Sequence, residues 1–401
     1  MSKATAQSWT VKAAVLSISL LLTSAPAING ALPFMQQALG TNATQNEILS
    51  TLPSLAVVVF IFLSSWFERK LGMKRVICLG LLIAGAAGIV PMFTNAYSII
   101  FASRLLLGCG LGLYNSLAVS LINSLYTGNT RATLLGFRNS MESIGQTILT
   151  IITGLLLNLG WHWSFAIYLF AFPIMLFFWL CVPDANDGQG VSAGNATDAG
   201  TSAKSDEKMN PFVYALMMFA VLQVLNSLSM TVRFPSIAAR IMGSGYNSSF
   251  LLSLMPMLGI ISGFLFGLLN KIMGKYVLYL GLVIYAISDL LMGFSGDSFA
   301  LAVTGLFLSG FPGSLCFPYI FNTLGDITGP KTSTMATSLI FVGCNIGNFA
   351  APIVMNGIQA ILRTDSLTVP FPVYAAVFLL ILGGVIVHDM GKRRNGNGVE
   401  A

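Results

Sequence analysis

Twelve apolar runs separated by polar interruptions set the pattern of this chain: residues 13–38, 46–66, 76–94, 99–122, 132–157, 162–182, 211–239, 247–270, 276–294, 299–323, 332–361 and 370–390. A helix rises about 1.5 Å per residue and a bilayer core is about 30 Å thick, so each run is long enough to cross. Runs this long and continuous lack the short alternating strands of a membrane barrel, which predicts helices throughout. Residues 184–210 break the pattern, being small, polar and without periodicity, as a flexible linker is. The chain therefore divides into residues 1–183, a cytosolic linker 184–210 and residues 211–401, with six spans on each side.

The halves repeat. Gly347 lies 202 positions after Gly145, and the same offset pairs Pro33 with Pro235, Gly108 with Gly310, and Glu68-Arg69-Lys70-Leu71-Gly72 with Asn270-Lys271-Ile272-Met273-Gly274. The Ser-Ala-Pro-Ala sequence at residues 24–27 would suit a leader cleavage site. Apolar character nevertheless continues through Leu32, Pro33 and Phe34, and the Pro33 match makes this run the first member of the repeat. The expected fold is an all-α membrane protein, twelve transmembrane helices in two pseudo-symmetric six-helix bundles. Repeated bundles joined by a linker suit a transporter that rocks one against the other.

Charge inside the spans is sparse and so informative. The fifth run carries Arg138 and Glu142 at i, i+4, on one helical face, while the repeated run has Ile340 and Cys344 at those places. Ionisable groups at such depth are costly, which marks a coupling or substrate site, although a fixed salt bridge has the same pattern. Arg104 precedes a glycine ladder in the fourth run and suits either an anionic partner or snorkelling to the interface. Asp289, Asn29 and Asn115 are further cavity candidates, with helix–helix hydrogen bonding as the plainer reading of the two amides. Arg233, close to the end of the seventh run, reads as a snorkelling side chain.

The chain is 8% charged and 55% hydrophobic, against about 25% charged residues in soluble proteins. The net charge of +6 does not point to nucleic acid, because the bases sit in short clusters between apolar runs. With the N-terminus in the cytosol, fifteen of the twenty Lys and Arg face inward. The positive-inside rule then puts both termini in the cytosol of a multi-pass cell-membrane protein. The five cysteines lie scattered in apolar runs, and His162 and His388 fall in different halves, so neither a metal site nor a cofactor site is expected. No glycine-rich run ends in Gly-Lys-Ser or Gly-Lys-Thr, which leaves an ion or solute gradient as the energy source.

Four segments resemble the major facilitator superfamily. Ser65-Trp66-Phe67-Glu68-Arg69-Lys70-Leu71-Gly72-Met73-Lys74-Arg75 is similar to its loop between spans two and three, with Arg69 where the family has an aspartate and Glu68 one step before it. Arg104-Leu-Leu-Leu-Gly108-Cys-Gly110-Leu-Gly112 resembles its fourth-span pattern. Gly160-Trp161-His162-Trp163 resembles the start of its sixth span. At the end of the fifth span, Leu149-Thr150 replaces the Gly-Pro of its antiporters and only Gly154 remains. The resemblance implies a secondary transporter working by alternating access, with Glu68, Arg69, Lys70, Gly72, Lys74 and Arg75 as a conformational loop. It also implies proton coupling at Arg104. The favoured function is proton-coupled efflux of small amphipathic compounds by a monomer. Uptake or exchange of a small anion is the alternative, and a polytopic membrane enzyme or sensor a remote one.

Overall fold

A computed structural model describes residues 8–126, 128–182, 210–274, 276–328 and 332–396. Among these residues every regular element is helical. The first span, α1, is bent by 46° between its pieces Trp9–Leu21 and Ala25–Leu39. The others in the first half are α2 (Ala43–Leu71), α3 (Met73–Met92), α4 (Tyr97–Leu125), α5 (Gly128–Leu157) and α6 (Trp161–Cys181). In the second half follow α7 (Phe212–Met242), α8 (Ser249–Met273), α9 (Tyr276–Gly293), α10 (Phe299–Ser309 continuing as Pro312–Ile327), α11 (Ser333–Ile361) and α12 (Pro370–Gly396). All twelve runs read from the sequence thus appear as spans, the first as a broken one. The linker assigned to residues 184–210 lies outside the described residues, apart from Asn210.

Local chemistry sets the boundaries. The Asn42 side chain accepts from the Gln45 backbone at 2.7 Å while Gln45 caps the Asn42 backbone in return, a capping box that starts α2. Gly72 ends the same helix at φ +82°, a conformation an L side chain rarely adopts, and Gly274 does the same after α8 at φ +54°.

The repeat recurs in the packing. A Cβ added to Gly145 of α5 would stand 2.2 Å from the Leu20 carbonyl oxygen of α1. At Gly347 of α11 it would stand 2.7 Å from the Val221 carbonyl oxygen of α7. The glycine ladder of α4 works likewise, with Gly108 against Pro53 of α2 and Gly110 against Ala84 of α3. Membrane helices gain contact by such close approach, because lipid is as apolar as their own side chains. One apolar core fills the first half, centred on Leu107, Leu111, Tyr114 and Leu117 of α4. Val232 of α7 joins that core, which marks where the halves meet.

Candidate functional site

The polar groups buried among these spans form three clusters and one clamp. The first cluster holds the intramembrane ion pair. Arg138 Nη2 stands 2.8 Å from Glu142 Oε1, with the side chains 11% and 24% exposed. The same nitrogen donates to Asn115 Oδ1 of α4 at 3.0 Å, and Nη1 donates to Asn139 Oδ1 at 3.2 Å. Thr23 of α1 donates its hydroxyl to the Glu142 backbone carbonyl at 2.9 Å. Arg138, Glu142 and Asn115 therefore meet at the junction of α1, α4 and α5. Neither end of this pair is fully enclosed by protein. Beside it, a cavity of about 460 Å³ opens between α1 and α5, lined by Trp9, Lys12, Leu16, Thr133, Phe137 and Met141 among others.

Arg104 is the clamp. It is fully buried, which rules out snorkelling. Its Nε donates to the Leu49 carbonyl at 2.9 Å, Nη1 to the Tyr168 hydroxyl at 2.7 Å and Nη2 to the Ala25 carbonyl at 3.0 Å. One side chain thus ties α4 to α1, α2 and α6. Asn115 lies three turns further along α4, about 16 Å by helical rise, so the two are not brought together. Asn29 also serves packing between helices, accepting from the Ser50 hydroxyl of α2.

The second cluster was not foreseen. Arg233 of α7 and Glu47 of α2 are 0% and 2% exposed, with Nε 2.6 Å from Oε1. Arg233 Nη2 donates to Glu47 Oε2 at 3.0 Å and to Asn356 Oδ1 of α11 at 3.2 Å, and Nη1 donates to Gln359 Oε1 at 2.9 Å. Asn356 Nδ2 donates in turn to Glu47 Oε2 at 3.4 Å. The interfacial reading of Arg233 is overturned, because the approach of the first half encloses it and supplies a carboxylate. Glu47 escaped notice because it sits at the polar margin of the second apolar run.

A second contact between halves lies at the same end. Asn247 Nδ2 donates to the Gly154 carbonyl of α5 at 2.7 Å, and a Cβ on Gly154 would meet the Ser249 Cβ at 2.6 Å. A Cβ on Gly30 of α1 would stand 2.0 Å from the Ser249 hydroxyl oxygen. Twelve crossings return the chain to the face where it began, so both contacts lie at the end remote from the termini.

The third cluster surrounds Asp289 of α9, fully buried in the second half, with Asn226 Nδ2 3.3 Å from its Oδ2. The expected loop residues flank the α2–α3 turn. Arg69 Nε donates to the Ser65 carbonyl at 3.3 Å, Lys70 lies 4.0 Å from the Trp66 ring centre and Lys74 4.7 Å from that of Trp179. Glu68 closes the helix through its carbonyl, which accepts from Gly72 at 2.8 Å. Lys74 and Arg75 begin α3. Among the described residues no three His, Cys, Asp or Glu converge as metal ligands.

The sequence profile of the Major Facilitator Superfamily matches residues 14–352. The chain belongs to this family. Solved members share the fold at low identity. A POT family transporter in complex with a thioalcohol-conjugated peptide superposes with a TM-score of 0.76 at 11% identity, over 95% of this chain and 96% of that one. The xylose transporter XylE from E. coli, in an inward open conformation, gives 0.69 at 12% identity over 93% and 94%. Among curated relatives, a protein TsgA homolog of Buchnera aphidicola subsp. Acyrthosiphon pisum (strain Tuc7) is 26% identical over 205 residues, 50% of each chain. The bacillibactin exporter of Bacillus subtilis (strain 168) is 26% identical over 139 residues, 33% of this chain and 34% of that one. These matches span half or less of the curated relatives' length. Family and fold make this superfamily member a multi-pass membrane protein of the secondary-transporter class.

Proposed function

We propose that the protein exports small amphipathic compounds in exchange for protons, with Arg138, Glu142 and Asn115 as its solute-contact and coupling site. The observation that carries this reading is the partly exposed ion pair held between α1, α4 and α5 in otherwise apolar spans. An intramembrane acid that protein does not fully enclose, paired to a base it can release, has the chemistry for trading a proton against a solute. The mainly apolar cavity next to it supports an amphipathic solute, as does the relative named a bacillibactin exporter. Both termini face the cytosol in this reading, and the two six-span halves move as units about the linker. The sealed end is then the outer one, and the conformation faces inward.

Proteoliposomes carrying a pH gradient and a panel of amphipathic and anionic solutes test the proposal. An outward-directed flux of amphipathic solutes driven by the gradient alone is expected, falling at least about tenfold in Glu142→Gln because the exchangeable proton is gone. Full gradient-driven flux in that variant removes Glu142 from coupling. Accumulation of an anion with no response to the gradient favours anion exchange instead.

A further inference from the structure

The seventh span carries a polar stripe that the efflux reading does not use. Gln223, Asn226, Ser229 and Arg233 follow at intervals of three, three and four residues, along one face of α7, and each is 1% exposed or less. Arg233 ends in the seal with Glu47, and Ser229 Oγ lies 3.3 Å from the Tyr374 hydroxyl of α12. Asn226 donates to Oδ2 of Asp289. No Lys, Arg or His among the described residues is ion-paired with this carboxyl group, which is 0% exposed. An ionised carboxylate buried without a cation would lose its hydration for one long amide hydrogen bond, which is strongly unfavourable.

The hydrogen-bond inventory points to what is missing. Among the described residues, Asp289 Oδ1 and Asn226 Oδ1 are buried acceptors without a donor, and Gln223, one turn earlier on α7, has both amide atoms unpartnered. One proton placed on Asp289 Oδ1 turns that acceptor into a donor. That O–H can donate to Asn226 Oδ1, the unpartnered oxygen of the amide that already reaches this carboxyl group.

We infer that Asp289 is a proton-binding site of the second half, its carboxyl group neutral in this conformation and hydrogen-bonded to the Asn226 amide of α7. The neighbouring titratable groups are Tyr285 on α9 itself, Tyr374 on α12 and Cys316 on α10. Lys271 of α8 is carried at the last turn of its span. Arg233 and Glu47 lie two turns along α7, about 10 Å from Asn226 by helical rise. The inference rests on burial and hydrogen bonding alone, and stands whether or not Glu142 couples solute flux.

Infrared spectroscopy of the full chain in lipid nanodiscs at pH 7 tests it without any solute. A protonated-carboxyl C=O band should be present in wild type, survive Glu142→Gln, and vanish when Asp289→Asn is added to Glu142→Gln. Asparagine can donate to the same Asn226 oxygen, so Asp289→Asn is expected to keep the wild-type melting temperature. Asn226→Leu provides a second reading should Asp289→Asn fail to fold, because losing the amide bonded to the carboxyl group must shift the band. Absence of the band in Glu142→Gln, its persistence in the double variant, or an unshifted band in Asn226→Leu overturns the proposal. Retention of radioactive sodium by wild type and its loss in Asp289→Asn also overturns it, in favour of a sodium site.

Discussion

At the end remote from the termini, α2 meets α7 and α11 through Glu47, Arg233 and Asn356, while α8 meets α1 and α5 through Ser249, Gly30 and Gly154. The two contacts occupy equivalent places in the repeat. Adding 202 to Glu47 gives Ser249, adding it to Gly154 gives Asn356, and subtracting it from Arg233 gives Ala31, next to Gly30. One contact is closed by charge and amides, the other by backbones brought close through small residues. The duplicated scaffold fixed where the halves touch, and divergence of a few side chains fixed how. A small-residue contact gains its energy from dispersion at short range and tolerates no added atoms. A charged contact must keep both partners, because a lone charge in the closed interface is costly.

The largest effect should come from breaking the charged contact. Glu47→Ala leaves Arg233 enclosed without its carboxylate and should destabilise the closed end by about 3–5 kcal/mol, as losing one partner of a buried pair does. Spin-label distances between α2 and α7 should lengthen and the melting temperature fall. The double variant Glu47→Leu/Arg233→Leu should recover most of that loss. If it is as impaired as the single variant, the ion pair is not what holds this contact.

A smaller effect is expected on the other side. Gly154→Ala puts a methyl group 2.6 Å from the Ser249 Cβ, an overpacking cost of about 1–3 kcal/mol. The better helix propensity of alanine offsets about 1 kcal/mol of this. Labels on α5 and α8 should move apart, and Ser249→Gly in the same chain should bring them back. Failure of that rescue would mean the two sites do not share one clash.

The smallest effect should follow Ser249→Ala. The Ser249 hydroxyl is buried without a hydrogen-bond partner, so its removal should change stability by less than about 0.5 kcal/mol. A loss comparable to that of Glu47→Ala would show that this contact is polar after all and erase the distinction between the two.

Much of this architecture was legible in the residues. Long apolar runs gave every span, and the 202-residue offset appears in space as Gly145 on Leu20 and Gly347 on Val221. The Arg138–Glu142 pair follows from i, i+4 spacing and forms at 2.8 Å. Arg104 was visible as a buried charge, but its acceptors come from three other spans, and two of them are backbone carbonyls that no residue pattern marks. Glu47 and Arg233 were misjudged for a related reason. Each lies near a span end, where hydropathy predicts contact with water, and only the other half of the molecule excludes it.

The sequence by itself determined the number of spans, their helical character, the internal duplication and the positions where backbones approach through glycine. These depend on local hydropathy, rise per residue and side-chain volume, which are properties of short segments. The tertiary structure alone decided which span ends of the two halves meet and which charges are partnered. Glu47 and Arg233 are 186 positions apart, and their pairing exists only because α2 of one half packs against α7 and α11 of the other. Burial of a charge depends on everything that surrounds it, and in a molecule built from two halves much of that surrounding comes from the other half.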